Sequence, residues 1–135
     1  MKNDNYKFNH VIIAAGPVII KGGKVLLNKH GEGRLWKFPG GDIYEATGDL
    51  ESWACKKAKE EMGLDVKLIR PLKPMLIWQA DEVIILIHYL AEMTSEEIKP
   101  ADYILDYQWL DINNLPADCS PNIKPVVDEY KNSIS

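Results

Sequence analysis

Residues 36–64 read WKFPGGDIYEATGDLESWACKKAKEEMGL, and the rest of the chain is organised around them. Trp36-Lys37-Phe38 has the character of a strand end, Pro39-Gly40-Gly41 forces a turn, and a loop then leads into one helix closed by Gly63. Leu50 to Met62 contains no proline, glycine or β-branched residue, which favours helix throughout. Asp49 or Thr47 can cap the first turn through a side-chain oxygen, and Gly63 stands where a left-handed residue ends a helix. At about 100° per residue, Leu50, Trp53, Ala54 and Ala58 share one arc, which is expected to face the core. Lys57 and Glu61 project into the same arc, Glu60 lies at its edge beside Trp53, and Ser52 and Lys59 point to solvent. A buried charge without a partner is strongly unfavourable. Either Lys57 and Glu61 neutralise each other one turn apart, or this sector opens onto a polar site.

The two adjacent glycines bear on that choice, because glycine lets a ligand approach the backbone closely. A backbone carbonyl from such a turn, joined by carboxylates from the following helix, is the donor set of a hard divalent cation. Mg²⁺ takes oxygen ligands and keeps waters and substrate phosphates in its shell.

WKFPGG followed by KEEMGL resembles the Nudix box of the Nudix hydrolases. That box runs Gly, five residues, Glu, seven residues, Arg-Glu, an aliphatic residue, any residue, Glu-Glu, any residue, Gly and an aliphatic residue. Counted back from its end, Gly63 and Leu64 match the last two positions, Glu60 and Glu61 the acidic pair, and Ala58 the aliphatic position. Phe38-Pro39-Gly40-Gly41 matches the front with one extra residue before the helix. Three positions depart. The first Glu of the box falls on Gly48, with Asp49 adjacent, and Lys56-Lys57 stands where the family has Arg-Glu. Asp49 with Lys56 can partly replace the family's structural ion pair. Lys57 stands at a metal-binding Glu, and an ammonium cannot coordinate a cation and repels one.

The 135 residues are expected to form one domain, 1–135, long enough to bury a core, and 46% hydrophobic with 27% charged residues is ordinary for a soluble globular protein. A net charge of −4 argues against long nucleic acids as partners while leaving room for a small phosphate ligand. The polar start, Met1 to Asn9, has no signal-peptide core, and the longest apolar run, Val11 to Ile20, is interrupted at Gly16-Pro17 and too short to span a bilayer. The expectation is a cytoplasmic protein away from membranes. Cys55 and Cys119 make no disulfide framework. His10, His30 and His88 have no metal-ligand spacing, and His88 reads as a satisfied core histidine.

Val11 to Ile20 and Lys24 to Leu27, joined at Gly22-Gly23, predict a hairpin, with Pro17 at a bulge or an edge. Further strands are expected at 35–38, 66–72, 75–79, 82–92 and 104–110, a short helical turn at 111–115, and a last helix from Ser120-Pro121 through Tyr130. Strands interleaved with two helices predict an α/β fold, and the resemblance makes it a Nudix-type α/β/α sandwich around a mixed β-sheet.

The resemblance implies hydrolysis of a diphosphate linkage in a nucleoside diphosphate joined to some other group, with Mg²⁺ or Mn²⁺. It makes Glu61 and the Gly40 carbonyl metal ligands, and Glu60 a second ligand or the base that orients water. It also implies a further carboxylate beyond the box, for which Asp102 comes first and Asp81 and Glu82 follow. Lys57 can contact substrate phosphate in place of one cation. Arg34 and Lys37 can meet phosphates near the glycine turn, Gly41 admits the ligand, and Trp78, with Trp36, Tyr44 and Tyr89, can stack a nucleobase or pack in the core. The alternative is a catalytically degenerate protein of the same fold that binds nucleotides or regulates a partner. A homodimer is one open state of assembly.

Overall fold

A computed structural model describes residues 10–31, 33–44 and 48–134. The strands are β1 (His10–Lys21), β2 (Lys24–Lys29), β3 (Trp36–Lys37) and β4 (Gly41–Asp42), followed by helix α1 (Leu50–Met62). Then come β5 (Val66–Pro71), β6 (Met75–Gln79), β7 (Glu82–Met93), β8 (Asp106–Asp111) and helix α2 (Ile123–Ile134).

The two longest apolar runs, β1 and β7, lie parallel at the centre in unbroken register from His10 opposite Glu82 to Ile19 opposite Ala91. β5 and β6 pair antiparallel with β7 on its far side. On its other side β1 meets β4 at Ala14 and Ala15 and β2 at Ile20 and Lys21, and β2 in turn carries β3 and β8. The sheet is therefore mixed, and β1 belongs to both halves of it.

Alternation along the strands feeds two cores. Val18, Val25 and Leu27 pack with Ile123, Val126 and Val127 of α2. Their neighbours Ile19 and Leu26 turn the other way, onto Ala58 and Met62 of α1 and the adjoining Leu64. A helix on each face makes the α/β/α sandwich.

The hairpin at Gly22-Gly23 forms as expected. Pro17 makes no bulge, since the β1–β7 register runs through it. It sits in the gap between the β4 and β2 ladders, where its missing N–H leaves no partner strand unserved. The last helix begins at Ile123, not at Ser120, because Ser120 to Ile123 close a turn first, with the Ile123 N–H on the Ser120 carbonyl at 3.1 Å. Residues 111–115 form a hydrogen-bonded turn rather than helix, with the Asn113 N–H on the Asp111 carboxylate at 2.8 Å. Among the described residues no helix is long and apolar enough to cross a membrane.

Candidate functional site

Helix α1 is fixed at both ends, and this sets its carboxylates in place. Asp49 is the cap, its Oδ1 accepting from the Ser52 N–H at 2.7 Å, which also holds its carboxyl below the usual range. Thr47, the other candidate, lies outside the described residues. At the far end Gly63 adopts φ 66° and donates to the Lys59 carbonyl at 3.0 Å. The segment after β7 then donates to the last turn, Lys99 N–H to the Met62 carbonyl and Ala101 N–H to the Glu61 carbonyl, both at 2.8 Å. Carbonyls that a helix end leaves without partners are thus satisfied.

The glycine turn lies backbone-on-backbone against β1. Gly40 has φ 146°, a Cβ there would meet the Ala15 carbonyl oxygen at 2.8 Å, and a Cβ on Gly16 would meet the Pro39 oxygen at 2.1 Å. The Trp53 indole Nε1 donates to the Gly41 carbonyl at 3.3 Å, tying the helix to the turn.

Glu61 lies where turn, helix and β2 meet, and only 2% of it is exposed. Its Oε1 accepts from the Gly40 N–H and from the Asn28 side-chain amide, each at 3.3 Å. The Lys57 ammonium stands 4.0 Å from Glu61 Oε2 and 3.3 Å from Glu60 Oε1, so the closer partner is three residues away rather than four. Glu60 therefore pairs with Lys57, while Lys56 lies over the Trp53 ring at 5.1 Å. Burial pushes the Glu61 carboxyl up to about 7, against the lowering contributions of Gly40, Asn28 and Lys57, and Glu60 pushes it up further.

Asn28 is fully buried, and its Oδ1 lies 2.7 Å from His30 Nδ1. With the amide nitrogen spent on Glu61, Oδ1 accepts and His30 carries its proton on Nδ1. Burial, then Lys37 and Lys57, hold the His30 ring below its usual pKa.

A cleft of about 610 Å³ opens beside this cluster. Its floor is the α2 side of the sheet, with Ala14, Gly16, Ile77, Ile84 and Leu86, and its rim includes His30, Lys37, Gly40 and Gly41. His88 and Asn122 close its inner end, His88 Nε2 lying 3.1 Å from the Asn122 amide nitrogen, with the Phe38 ring edge-on at 5.1 Å. His88 is buried as expected but not fully satisfied, since its Nδ1 has no hydrogen-bond partner among the described residues.

The fold thus brings Gly40, Gly41, Lys57, Glu60 and Glu61 together and places Lys37 on the cleft rim. Three further candidates are placed differently. Arg34 is exposed, with φ 50°, and is not part of the cleft wall. Trp78 is 57% exposed and alternates with Ile77 and Gln79, the β6 residues that line the cleft, so it faces the other way. Asp102 sits in an exposed turn between Ala101, which bonds the Glu61 carbonyl, and Tyr103; among the described residues no three His, Cys, Asp or Glu converge. The other aromatics have local roles: Trp36 is buried beneath Lys29, Tyr89 donates to Glu51 at 2.8 Å, and Tyr44 meets the Trp53 ring edge-on at 5.0 Å. Two acids side by side offer oxygens of the kind a hard cation takes, the rest of its shell being water or phosphate. Asn28, His30, His88 and Asn122 were not expected at the site. Only Asn28, a lone polar residue ending the apolar run VLL, carried a local signal.

Residues 10–130 match the NUDIX domain family. The chain belongs to the Nudix family. One relative, the putative 8-oxo-dGTP diphosphatase YtkD of Bacillus subtilis (strain 168), is 35% identical over 103 residues. That match takes in 76% of the present chain and 63% of the relative's length. Among solved structures, the MutT NUDIX hydrolase of Burkholderia pseudomallei superposes with a TM-score of 0.80 at 22% identity, covering 88% of this chain and 97% of that one. A C. elegans Ap4A hydrolase in a binary complex gives 0.78 at 14% identity, covering 91% and 97%. At those identities the likeness is one of Nudix fold.

Proposed function

We propose that this Nudix protein hydrolyses a diphosphate linkage in a nucleotide, using Mg²⁺ or Mn²⁺ held by Glu61 and the Gly40 carbonyl, with Glu60 as the base that orients water. The observation that carries the reading is the joining of Glu61 to the Gly40 N–H at the edge of a cleft of nucleotide size. A divalent cation, when bound, neutralises charge developing on the phosphate oxygens and makes water more acidic.

The remaining work falls to side chains. Water adds to one phosphorus, the bridging P–O bond breaks, and the departing phosphate oxygen carries away the bond's electron pair. Glu60, the more exposed of the two acids, takes the proton from the attacking water, while Glu61 stays anchored by Asn28 and Gly40. Lys37 on the rim meets phosphate oxygens. The base enters the cleft over Ile84 and Leu86 toward His88, whose Nδ1, without a partner among the described residues, is free to bond an edge of the base. A purine nucleoside triphosphate also agrees with the substrate in the name of the Bacillus relative.

A second reading, nucleotide binding without turnover, is favoured by one observation: Lys57 holds Glu60 at 3.3 Å, where the base that orients water would need a free carboxylate. A panel of nucleoside triphosphates and nucleotide sugars, assayed for phosphate release with and without Mg²⁺ or Mn²⁺, separates the two. Metal-dependent release supports hydrolysis. A thermal shift with nucleotide and no release supports binding alone.

A further inference from the structure

Lys57 sets an ammonium against both acids of this site. Its side chain is 10% exposed, and burying an ammonium is unfavourable unless partners surround it. They do. Glu60 and Glu61 face it at 3.3 and 4.0 Å, and the Tyr44 and Trp53 rings lie 5.9 and 6.0 Å from its nitrogen. The fourth side is Gly41, where a Cβ would sit 3.0 Å from Lys57 Cε and 3.3 Å from Nζ. Two acids, two aromatic faces and one missing side chain thus enclose a single ammonium.

The same ammonium lies against Gly41, which is part of the cleft wall, so the place of the missing side chain is where a substrate phosphate reaches it. The ammonium fills the space beside both carboxylates, so a second cation has no room between them and the glycine turn. We propose that Lys57 is a resident cation replacing one divalent ion: the site binds a single Mg²⁺ or Mn²⁺, and the Lys57 ammonium contacts the substrate diphosphate directly. This deepens the hydrolase reading and rests on it for the identity of the ligand.

Two measurements test it apart from turnover. Electron paramagnetic resonance titration with Mn²⁺ is expected to count one bound ion per wild-type chain and a second in Lys57→Glu. Calorimetry in EDTA, with the non-hydrolysable methylene analogue of ADP, is expected to show binding by wild type and at least tenfold weaker binding by Lys57→Gln. Any other wild-type count, or equal binding by Lys57→Gln, overturns the proposal. The wild-type count needs no variant, so a misfolded substitution cannot shield the idea. Turnover with two bound ions would overturn Lys57's role and leave the hydrolase reading standing. One bound ion, Lys57-dependent analogue binding and no turnover on any nucleotide would do the reverse.

Discussion

Glu61 accepts two hydrogen bonds and faces an ammonium, yet burial outweighs those contacts and lifts its carboxyl to about 7. Between its ordinary value near 4.5 and about 7, the folded metal-free protein holds a proton that the unfolded chain has already released. Stability therefore falls as pH rises across that window, by on the order of 3 kcal/mol. Glu61→Gln removes the ionisation. In EDTA its unfolding free energy, measured by urea titration, is expected to gain on wild type steadily from pH 4.5 to 7 and to run parallel above. Metal-dependent hydrolysis by the same variant is expected to drop at least 100-fold, roughly 3 kcal/mol of transition-state stabilisation. The sequence made Lys57, Glu60 and Glu61 legible because one helical period sets all three on one sector. Asn28, His30, His88 and Asn122 arrive from strands and a turn far away in the chain: Asn28 meets Glu61 across 33 residues and His88 meets Asn122 across 34. No local pattern records such meetings. The facing of Trp78 was not legible for the related reason that a strand's two faces look alike until its partners are known.

Helix α1 was readable almost to the residue, since its caps are chemical and local: Asp49 at the start, Gly63 at the end. Asp49→Ala is expected to lose about 1 kcal/mol of unfolding free energy, the usual cost of an absent cap. Gly63→Ala should cost more, because φ 66° strains any side chain and a Cβ would come within 2.7 Å of Lys99. Thermal unfolding of the two variants side by side checks the order. Should Gly63→Ala prove the milder, the Lys99 segment would not be seated on the helix end. Strand boundaries also came close, because alternation and glycine turns are local. The start of α2 did not. Ser120-Pro121 has the look of a cap, but Ser120 is used to close a turn on Ile123 and to bond Asn122 at the cleft.

The molecule joins two unlike halves through β1. Val18 joins the α2 core and Ile19 the α1 core, while Ala14, Ala15 and Gly16 line the cleft, and the cleft comes to the acids of α1 around Gly40-Gly41. A cation bound there stabilises the whole fold by mass action, by about 1.4 kcal/mol at ten times its dissociation constant. Wild type is accordingly expected to melt at rising temperature as Mn²⁺ is added, to return to its starting value in EDTA, and to lose the response when Glu60 and Glu61 are both changed to Gln. A flat melting curve would leave those acids without a metal to bind. Gly41 has a bearing on descent as well as on binding. Lys57, rather than the backbone, is what crowds a side chain there: Gly41→Ala presses on the flexible end of the lysine and is expected to cost on the order of 1 kcal/mol with the lysine present and little in a Lys57→Ala background. Such epistasis ties the two positions' histories together, because a larger residue 41 is accommodated more easily once the lysine has shrunk.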